Sequence, residues 1–236
     1  MIPAELQDEY RWPAGPWLRT NFVYSIDGSL TRDQHSAGLS GPADNALLHH
    51  LRATADAVVV GASTATAEDY IGISLPDDEA LARERRGQGG PPALVVVTAS
   101  GRIGSPHRFI TQTITGNFLL LTSTDHDAVD RAVAAIDASN GTMELLHAPD
   151  GLAEGLSLLH NRGYSHLLCE GGPTLTDALL RDDLVDELCI TLSPNIGGEG
   201  RPRPTAAVTA DFVPTVTGIV DHFLFTRWTR TDKEPR

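Results

Sequence analysis

The sequence predicts an α/β protein: a mixed, mostly parallel sheet with a C-terminal antiparallel hairpin and helices on both faces. Short, continuously apolar runs alternate with amphipathic helical patterns along most of the chain, as expected for strands buried on both faces of a parallel sheet. Residues 212–217 and 223–228 then form two β-patterned runs with no helix between them, which indicates an antiparallel pair.

Buried strands are indicated by short apolar runs rich in β-branched residues. They are predicted at residues 18–25, 57–60, 93–97, 117–122, 143–147, 166–170 and 187–192. Helices are predicted where apolar residues recur at three- and four-residue intervals. They cover residues 42–54, 125–139, 151–161 and a segment that begins at Thr174.

We expect a single domain over residues 1–236, because one large α/β sheet commonly has this length. Residues 1–16 are predicted to form an N-terminal extension. Residues 83–92, rich in arginine, glycine and proline, are predicted to form a polar surface loop whose basic cluster is solvated.

The composition, with 41% hydrophobic and 21% charged residues, is that of a globular protein. Cys169 and Cys189 lie in apolar runs, which predicts buried thiols in a reducing compartment. The sequence shows neither an apolar leader nor a run of about 20 apolar residues, so we expect a cytoplasmic protein without a membrane partner. A net charge of −13 also disfavours nucleic acid as a partner.

The strongest chemical signal is the Glu-Gly-Gly-Pro sequence at 170–173, where a predicted strand ends and a helix begins. Gly171 and Gly172 have no Cβ and let a ligand approach the backbone, and Pro173 favours the first helical turn. The free amides of that turn suit a diphosphate. The same turn also suits a plain strand–helix connection, and it is not the Gly-x-Gly-x-x-Gly motif.

Two further turns follow predicted buried strands, at residues 61–64 and 98–102. The hydroxyl groups of the second turn, together with Arg102, suit a 2′-phosphate, which favours a guanidinium fork. Because ligands of open α/β sheets bind at the carboxyl ends of the strands, the three turns together predict one binding site for a dinucleotide.

Acidic side chains form the second group of residues in the predicted site. A hydride transfer needs no nucleophile on the enzyme, and acids in the cleft can orient the substrate or relay a proton. Asp27, Glu68, Asp69 and Glu170 each follow a predicted strand or turn, although each also fits a solvated or capping acid. Metal-ligand spacings, a nucleophile elbow and a Walker A motif are absent from the sequence.

Five motifs occur in order, at residues 21–28, 51–61, 64–69, 170–173 and 184–188. Together they resemble the C-terminal reductase domain of the bifunctional riboflavin-biosynthesis deaminase/reductase, from about Trp17 to the end of the chain. The resemblance implies a dihydrofolate-reductase-like fold, NADPH as cofactor and a homodimer. It also implies that the small heterocyclic substrate is 5-amino-6-(5-phosphoribosylamino)uracil, with hydride transfer to C1′ of the ribosylamino group.

The resemblance also assigns site residues. For cofactor binding these are Gly61, Ala62, Ser63, Thr64, Thr98, Ser100, Gly101, Arg102, Gly171, Gly172, Pro173, Thr174 and Leu175. For substrate binding they are Asn21, Ser25, Asp27 and Arg52. The predicted catalytic acids are Glu68, Asp69 and Glu170.

The substrate side departs from the family pattern. Asn21 stands where many members have lysine, and the segment from Glu68 to Tyr70 lacks the usual proline and following arginine. Lysine and arginine would hold a substrate phosphate. Two other functions therefore stay open: a dihydrofolate or pterin reductase, and an NADP(H)-binding protein without catalytic activity.

Overall fold

A computed structural model of the chain describes residues 4–33, 35–103, 108–112, 116–139, 141–200 and 210–231. Within these ranges the strands are β1 (Trp17–Tyr24), β2 (Ala57–Gly61), β3 (Ala93–Thr98), β4 (Asn117–Leu121), β5 (Met143–His147), β6 (His166–Cys169), β7 (Glu187–Leu192), β8 (Phe212–Val220) and β9 (Phe223–Arg230). They form one sheet in the order β5-β4-β3-β2-β6-β1-β7-β9-β8. Strands β1 to β7 pair in parallel, whereas β9 is antiparallel to both β7 and β8. The predicted mixed sheet and its C-terminal hairpin are confirmed.

The described helices are α1 (Ala4–Asp8), α2 (Pro42–Thr54), α3 (Ala62–Ala67), α4 (Asp77–Arg85), α5 (Arg108–Thr111), α6 (His126–Asp137), α7 (Leu152–His160) and α8 (Pro173–Arg181). The predicted longer helices agree with α2, α6, α7 and α8 to within two residues at each described end. Across the described ranges, none of the helices has the length and apolarity needed to cross a membrane.

The two faces of the sheet carry separate apolar cores. Val58 and Val60 of β2 point to one face, where Leu51 of α2 packs. Val59 points to the other face, against Leu156 of α7. Strands with apolar residues at successive positions therefore need helices on both sides. Both cysteines are buried free thiols, and burial raises the pKa of Cys169 to about 12.

A buried ion pair lies at the centre of the sheet. Arg19 of β1 is fully buried, and its Nε lies 2.5 Å from Oε1 of Glu187 in the neighbouring strand β7. Its Nη1 donates to the carbonyl of Tyr10 at 2.9 Å, and its guanidinium lies 4.1 Å from the centre of the Trp12 ring. The part of the predicted N-terminal extension around Tyr10 and Trp12 is thereby attached to the sheet.

Residues 83–92 are predicted to form a solvated loop, but the first residues of this segment belong to a helix. Arg83 belongs to the last turn of α4 and is only 5% exposed. Its Nη1 donates to the carbonyl of Ala53 at 3.0 Å and its Nε to that of Gly90 at 2.7 Å. The prediction of a solvated basic cluster is therefore wrong for Arg83, because its guanidinium satisfies backbone carbonyls at the end of α2.

Replacing Arg19 with methionine would remove the nearer cation of the buried Glu187 carboxylate, at 2.5 Å, and leave the Nε of Arg227 at 4.0 Å. We expect the free energy of unfolding to fall by about 3–5 kcal/mol, the usual cost of breaking a buried ion pair. Urea denaturation followed by circular dichroism measures this change. The control, Arg162→Met, breaks an exposed pair with Glu144 and should cost less than about 1 kcal/mol. Equal losses in the two variants would contradict the expectation.

Candidate functional site

Three neighbouring cavities open where the parallel strands end. The outer cleft, of about 630 Å³, lies against the ends of β2 and β3 and the start of α8. The central cleft, of about 580 Å³, lies between the β1–β7 pair and the starts of α3 and α8. The inner chamber, of about 270 Å³, lies between β1 and α2. The outer and central clefts share Ser63, Gly172 and Pro173, so their ligands would lie next to each other.

All three predicted turns contribute residues to the lining of the outer cleft. Most of the residues assigned to the cofactor line it, namely Gly61, Ala62, Ser63, Thr98, Ser100, Arg102, Gly172, Pro173, Thr174 and Leu175. Two of the turns are joined directly, because the N–H of Gly61 donates to the carbonyl of Gly171 at 2.7 Å. A Cβ on Gly172 would lie 2.2 Å from Oγ1 of Thr64, so any larger residue would require the Thr64 side chain to move.

The remaining assigned cofactor residues have other positions. Thr64 lines the central cleft. Gly101 has φ +64°, and a Cβ there would lie 2.2 Å from the carbonyl oxygen of Ala128, so it shapes the turn after β3. Gly171, with φ +90°, faces the Phe22 ring. Sequence reasoning missed Arg131 of α6, whose Nε donates to the carbonyl of Ser100 at 2.9 Å and supports the same turn.

The donors of the outer cleft fit the phosphates of a dinucleotide. Gly172 is the N-cap of α8, and no side chain caps the first turn of this helix. Its amide groups and the positive end of the helix dipole therefore remain for an anion. Arg102 is exposed on the β3 side of the same cleft and supplies a cation.

Glu170 lies where the central cleft meets the inner chamber. Arg52 of α2 approaches it with two nitrogen atoms, Nε at 2.6 Å from Oε1 and Nη2 at 2.6 Å from Oε2. The hydroxyl of Tyr70 donates to Oε2. Burial opposes the charge of Arg52, but the ion pair with Glu170 raises its pKa overall. The structure thus joins two predicted residues to Tyr70, which sequence reasoning missed.

The other predicted acids have different surroundings. Glu68 lines both the central cleft and the inner chamber, and its Oε1 accepts from the backbone N–H of Ser36 at 3.2 Å. Asp69 is exposed, forms an ion pair with Arg108 and does not line any of the three cavities as described. Only Glu68 and Glu170 are therefore brought together by the fold.

Asn21 of β1 lines the inner chamber, where its buried Oδ1 accepts no hydrogen bond from the described residues. Ser25 and Asp27 instead close the loop after β1. The hydroxyl of Ser25 donates to Oδ1 of Asp27 at 2.6 Å, and the N–H of Gly197 donates to the same oxygen at 3.0 Å. Neither residue is among the described residues that line these three cavities, whereas Asn21 and Arg52 both line the inner chamber.

Asp44 in the first turn of α2 is a second residue that sequence reasoning missed. It lines the inner chamber, is 6% exposed and accepts from the Ser40 hydroxyl at 2.5 Å. Burial raises the pKa of Asp44, while the hydrogen bond from Ser40 opposes that rise. In the sequence, Asp44 stands out only as an acidic residue at the start of a helix. Such residues are common in helices that bind no ligand.

The stability of the protein should depend on pH through Asp44. Since its pKa is higher in the folded chain, the folded state binds more protons above about pH 4, and ionisation of Asp44 lowers stability as the pH rises. Asp44→Asn removes this ionisation and keeps an acceptor for Ser40. We expect the unfolding free energy of the variant, relative to the parent, to increase from about pH 4 to about pH 7 in urea denaturation. A relative stability that is constant or falls over this range would contradict the assignment.

Solved structures share this arrangement of the sheet. A pyrimidine reductase-like protein from Corynebacterium diphtheriae superposes with a TM-score of 0.78, at 23% identity over 92% of this chain and 93% of that chain. Dihydrofolate reductase from Enterococcus faecalis, complexed with NADP(H), gives a TM-score of 0.50, at 14% identity over 92% of this chain and 97% of that chain. The predicted dihydrofolate-reductase-like fold is confirmed.

Sequence comparison then gives the family. The family described as the RibD C-terminal domain matches residues 16–212, and the chain belongs to that family. The 2,5-diamino-6-ribosylamino-4(3H)-pyrimidinone 5′-phosphate reductase of Archaeoglobus fulgidus is 28% identical over 194 residues, which cover 80% of this chain and 85% of the relative. The predicted family and enzyme class, a reductase, are confirmed.

Proposed function

We propose that this chain is an NADPH-dependent reductase of riboflavin biosynthesis, acting on the ribosylamino side chain of a pyrimidine 5′-phosphate such as 5-amino-6-(5-phosphoribosylamino)uracil. The relative from Archaeoglobus fulgidus is named for a substrate of this class. The observation that carries the proposal is the shared wall of Ser63, Gly172 and Pro173, which sets a cleft rich in phosphate donors beside the cleft that contains Glu170.

The chemistry is the reduction of the ring-opened imine of the ribosylamino group. Bound NADPH would supply the hydride for C1′ and leave as NADP⁺, while the imine nitrogen takes up one proton. Glu170 orients the sugar by accepting a hydrogen bond from one of its hydroxyl groups. Apolar side chains of Phe22, Leu188 and Ile190 line the central cleft and limit the access of water.

Glu68 is the better placed of the remaining predicted acids for proton relay. Its side chain is 25% exposed and lines the central cleft, so it can exchange protons with solvent. Asp69 stays a predicted catalytic residue, although it pairs with Arg108 and is not among the residues that line the central cleft.

The homodimer and the cytoplasmic location also stay predictions. Analytical ultracentrifugation tests the homodimer.

Arg102 is assigned to the 2′-phosphate of NADPH. Replacing it with alanine should lower kcat/KM for NADPH by roughly 10- to 100-fold, since a hydrogen bond to a charged group contributes about 1.5–3 kcal/mol. The same change should leave kcat/KM for NADH within about twofold. Initial rates with each coenzyme measure both values, with Arg162→Ala on the opposite part of the surface as control. Equal losses for the two coenzymes would exclude this role.

A second candidate, reduction of a pterin or dihydrofolate, is favoured by the inner chamber. A buried carboxyl group such as that of Asp44 can accept paired N–H donors from an aminopyrimidinone ring. Among the described residues that line the central cleft and the inner chamber, the sole arginine or lysine is Arg52, which already pairs with Glu170. A substrate phosphate therefore finds no unpaired cation in this part of the structure.

Substrate assays separate the candidates. We expect the purified protein to oxidise NADPH, followed by absorbance, with the phosphoribosylamino-uracil, and at least about tenfold less efficiently with dihydrofolate, a difference of about 1.4 kcal/mol in transition-state binding. The reverse order would favour the pterin reductase. Tight NADPH binding in calorimetry without turnover of either substrate would favour the non-catalytic binding protein.

A further inference from the structure

The side chain of Glu170 is only 6% exposed, so its charge must be balanced by hydrogen-bond donors. Arg52 supplies two of them, one to each carboxylate oxygen, at 2.6 Å. Tyr70 supplies the third, to Oε2. A carboxylate offers about four acceptor positions, so one position, on Oε1, remains for a ligand.

Tyr70 reaches Glu170 because the chain reverses at the end of α3. Asp69 has φ +51°, in the left-handed region that aspartate tolerates better than most residues. The N–H of Tyr70 then donates back to the carbonyl of Ala65 at 3.0 Å. This turn directs the ring of Tyr70 into the cavity wall, where it lines both the central cleft and the inner chamber.

The phenol of Tyr70 contacts both members of the ion pair. Besides donating to Glu170, its oxygen lies 3.4 Å from Nη2 of Arg52, within range to accept a hydrogen bond. The centre of its ring lies 5.8 Å from Cζ of Arg52, a cation–π distance. The three side chains thus form a closed triangle in which the position of each depends on the other two.

We infer that Tyr70 is a positioning residue that, together with Arg52, fixes Glu170 as an ionised acceptor for an N–H or O–H group of the substrate. The inference rests on the proposed reductase function. Burial, and after it the charge of Glu170, raise the pKa of Tyr70 well above its ordinary value, so the phenol stays a donor at neutral pH. Glu170 therefore orients the substrate, and the proton that the reduction consumes comes from another group.

Other charged or titratable groups also face Glu170. His49 and Arg52 approach from α2, and burial and Arg52 lower the pKa of His49. Glu68 lines the same two cavities, and Cys169 precedes Glu170 on β6. Among the described neighbours, Tyr70 is the neutral side chain that donates directly to this carboxylate, so its hydroxyl can be removed without changing the net charge.

Tyr70→Phe removes only the hydroxyl. We expect kcat/KM at pH 7 to fall about tenfold, as for loss of a hydrogen bond to a charged group. The Kd for NADPH should stay within about twofold, since Tyr70 does not line the outer cleft.

The control is Tyr164→Phe, which removes a hydroxyl from a ring that packs against Phe118 in the other apolar core. It should leave kcat/KM unchanged. Thermal unfolding of both variants shows whether a loss of activity follows a loss of fold. A Tyr70→Phe enzyme with the parent's kcat/KM would overturn the inference.

A spectroscopic readout keeps the test independent of turnover. The infrared band of the Glu170 carboxylate, isolated as the difference between the parent and Glu170→Gln, should shift in Tyr70→Phe because one hydrogen bond is lost. An unshifted band would reject the inference even in an inactive protein. A different result would show that the proposed function itself is wrong: the parent protein would oxidise NADPH with neither substrate.

Discussion

The hydrogen bond from the N–H of Gly61 to the carbonyl of Gly171 joins the ends of two parallel strands and, through them, both halves of the site. It continues the β2–β6 ladder by one step beyond the strands and places the starts of α3 and α8 side by side. The turns that line the outer cleft and the carboxylate of Glu170 thereby lie at the same edge of the sheet. The proposed hydride transfer depends on that arrangement.

The charge of the protein is compatible with the proposed polyanionic cofactor because the proposed binding is local. A net charge of −13 repels anions at long range, but this repulsion is screened beyond about 8–10 Å at physiological salt. The backbone amides at the start of α8 and the guanidinium of Arg102 would act on the cofactor at hydrogen-bond distance. The acidic residues near the substrate are meanwhile buried or paired, as the Arg52–Glu170 contact shows.

The strands and helices α2, α6, α7 and α8 could be predicted because apolar periodicity reports burial directly, whereas α4, with its polar sequence over Asp77–Arg85, could not. The turns around Gly61 and Gly172 followed from their places at strand ends. Tyr70 and Asp44 could not be predicted, because their roles depend on long-range contacts with Glu170 and with the inner chamber. Arg83 was misjudged for a related reason. An arginine in a polar segment gives no sign that carbonyls at the end of another helix will bury it.

The partition made by Ser63, Gly172 and Pro173 has a thermodynamic consequence. Coenzyme and substrate, bound as proposed, would each contact these three residues. Any factor by which coenzyme alters substrate affinity must then equal the factor by which substrate alters coenzyme affinity, because linkage is mutual. Three small residues thus form the boundary between the two proposed half-sites.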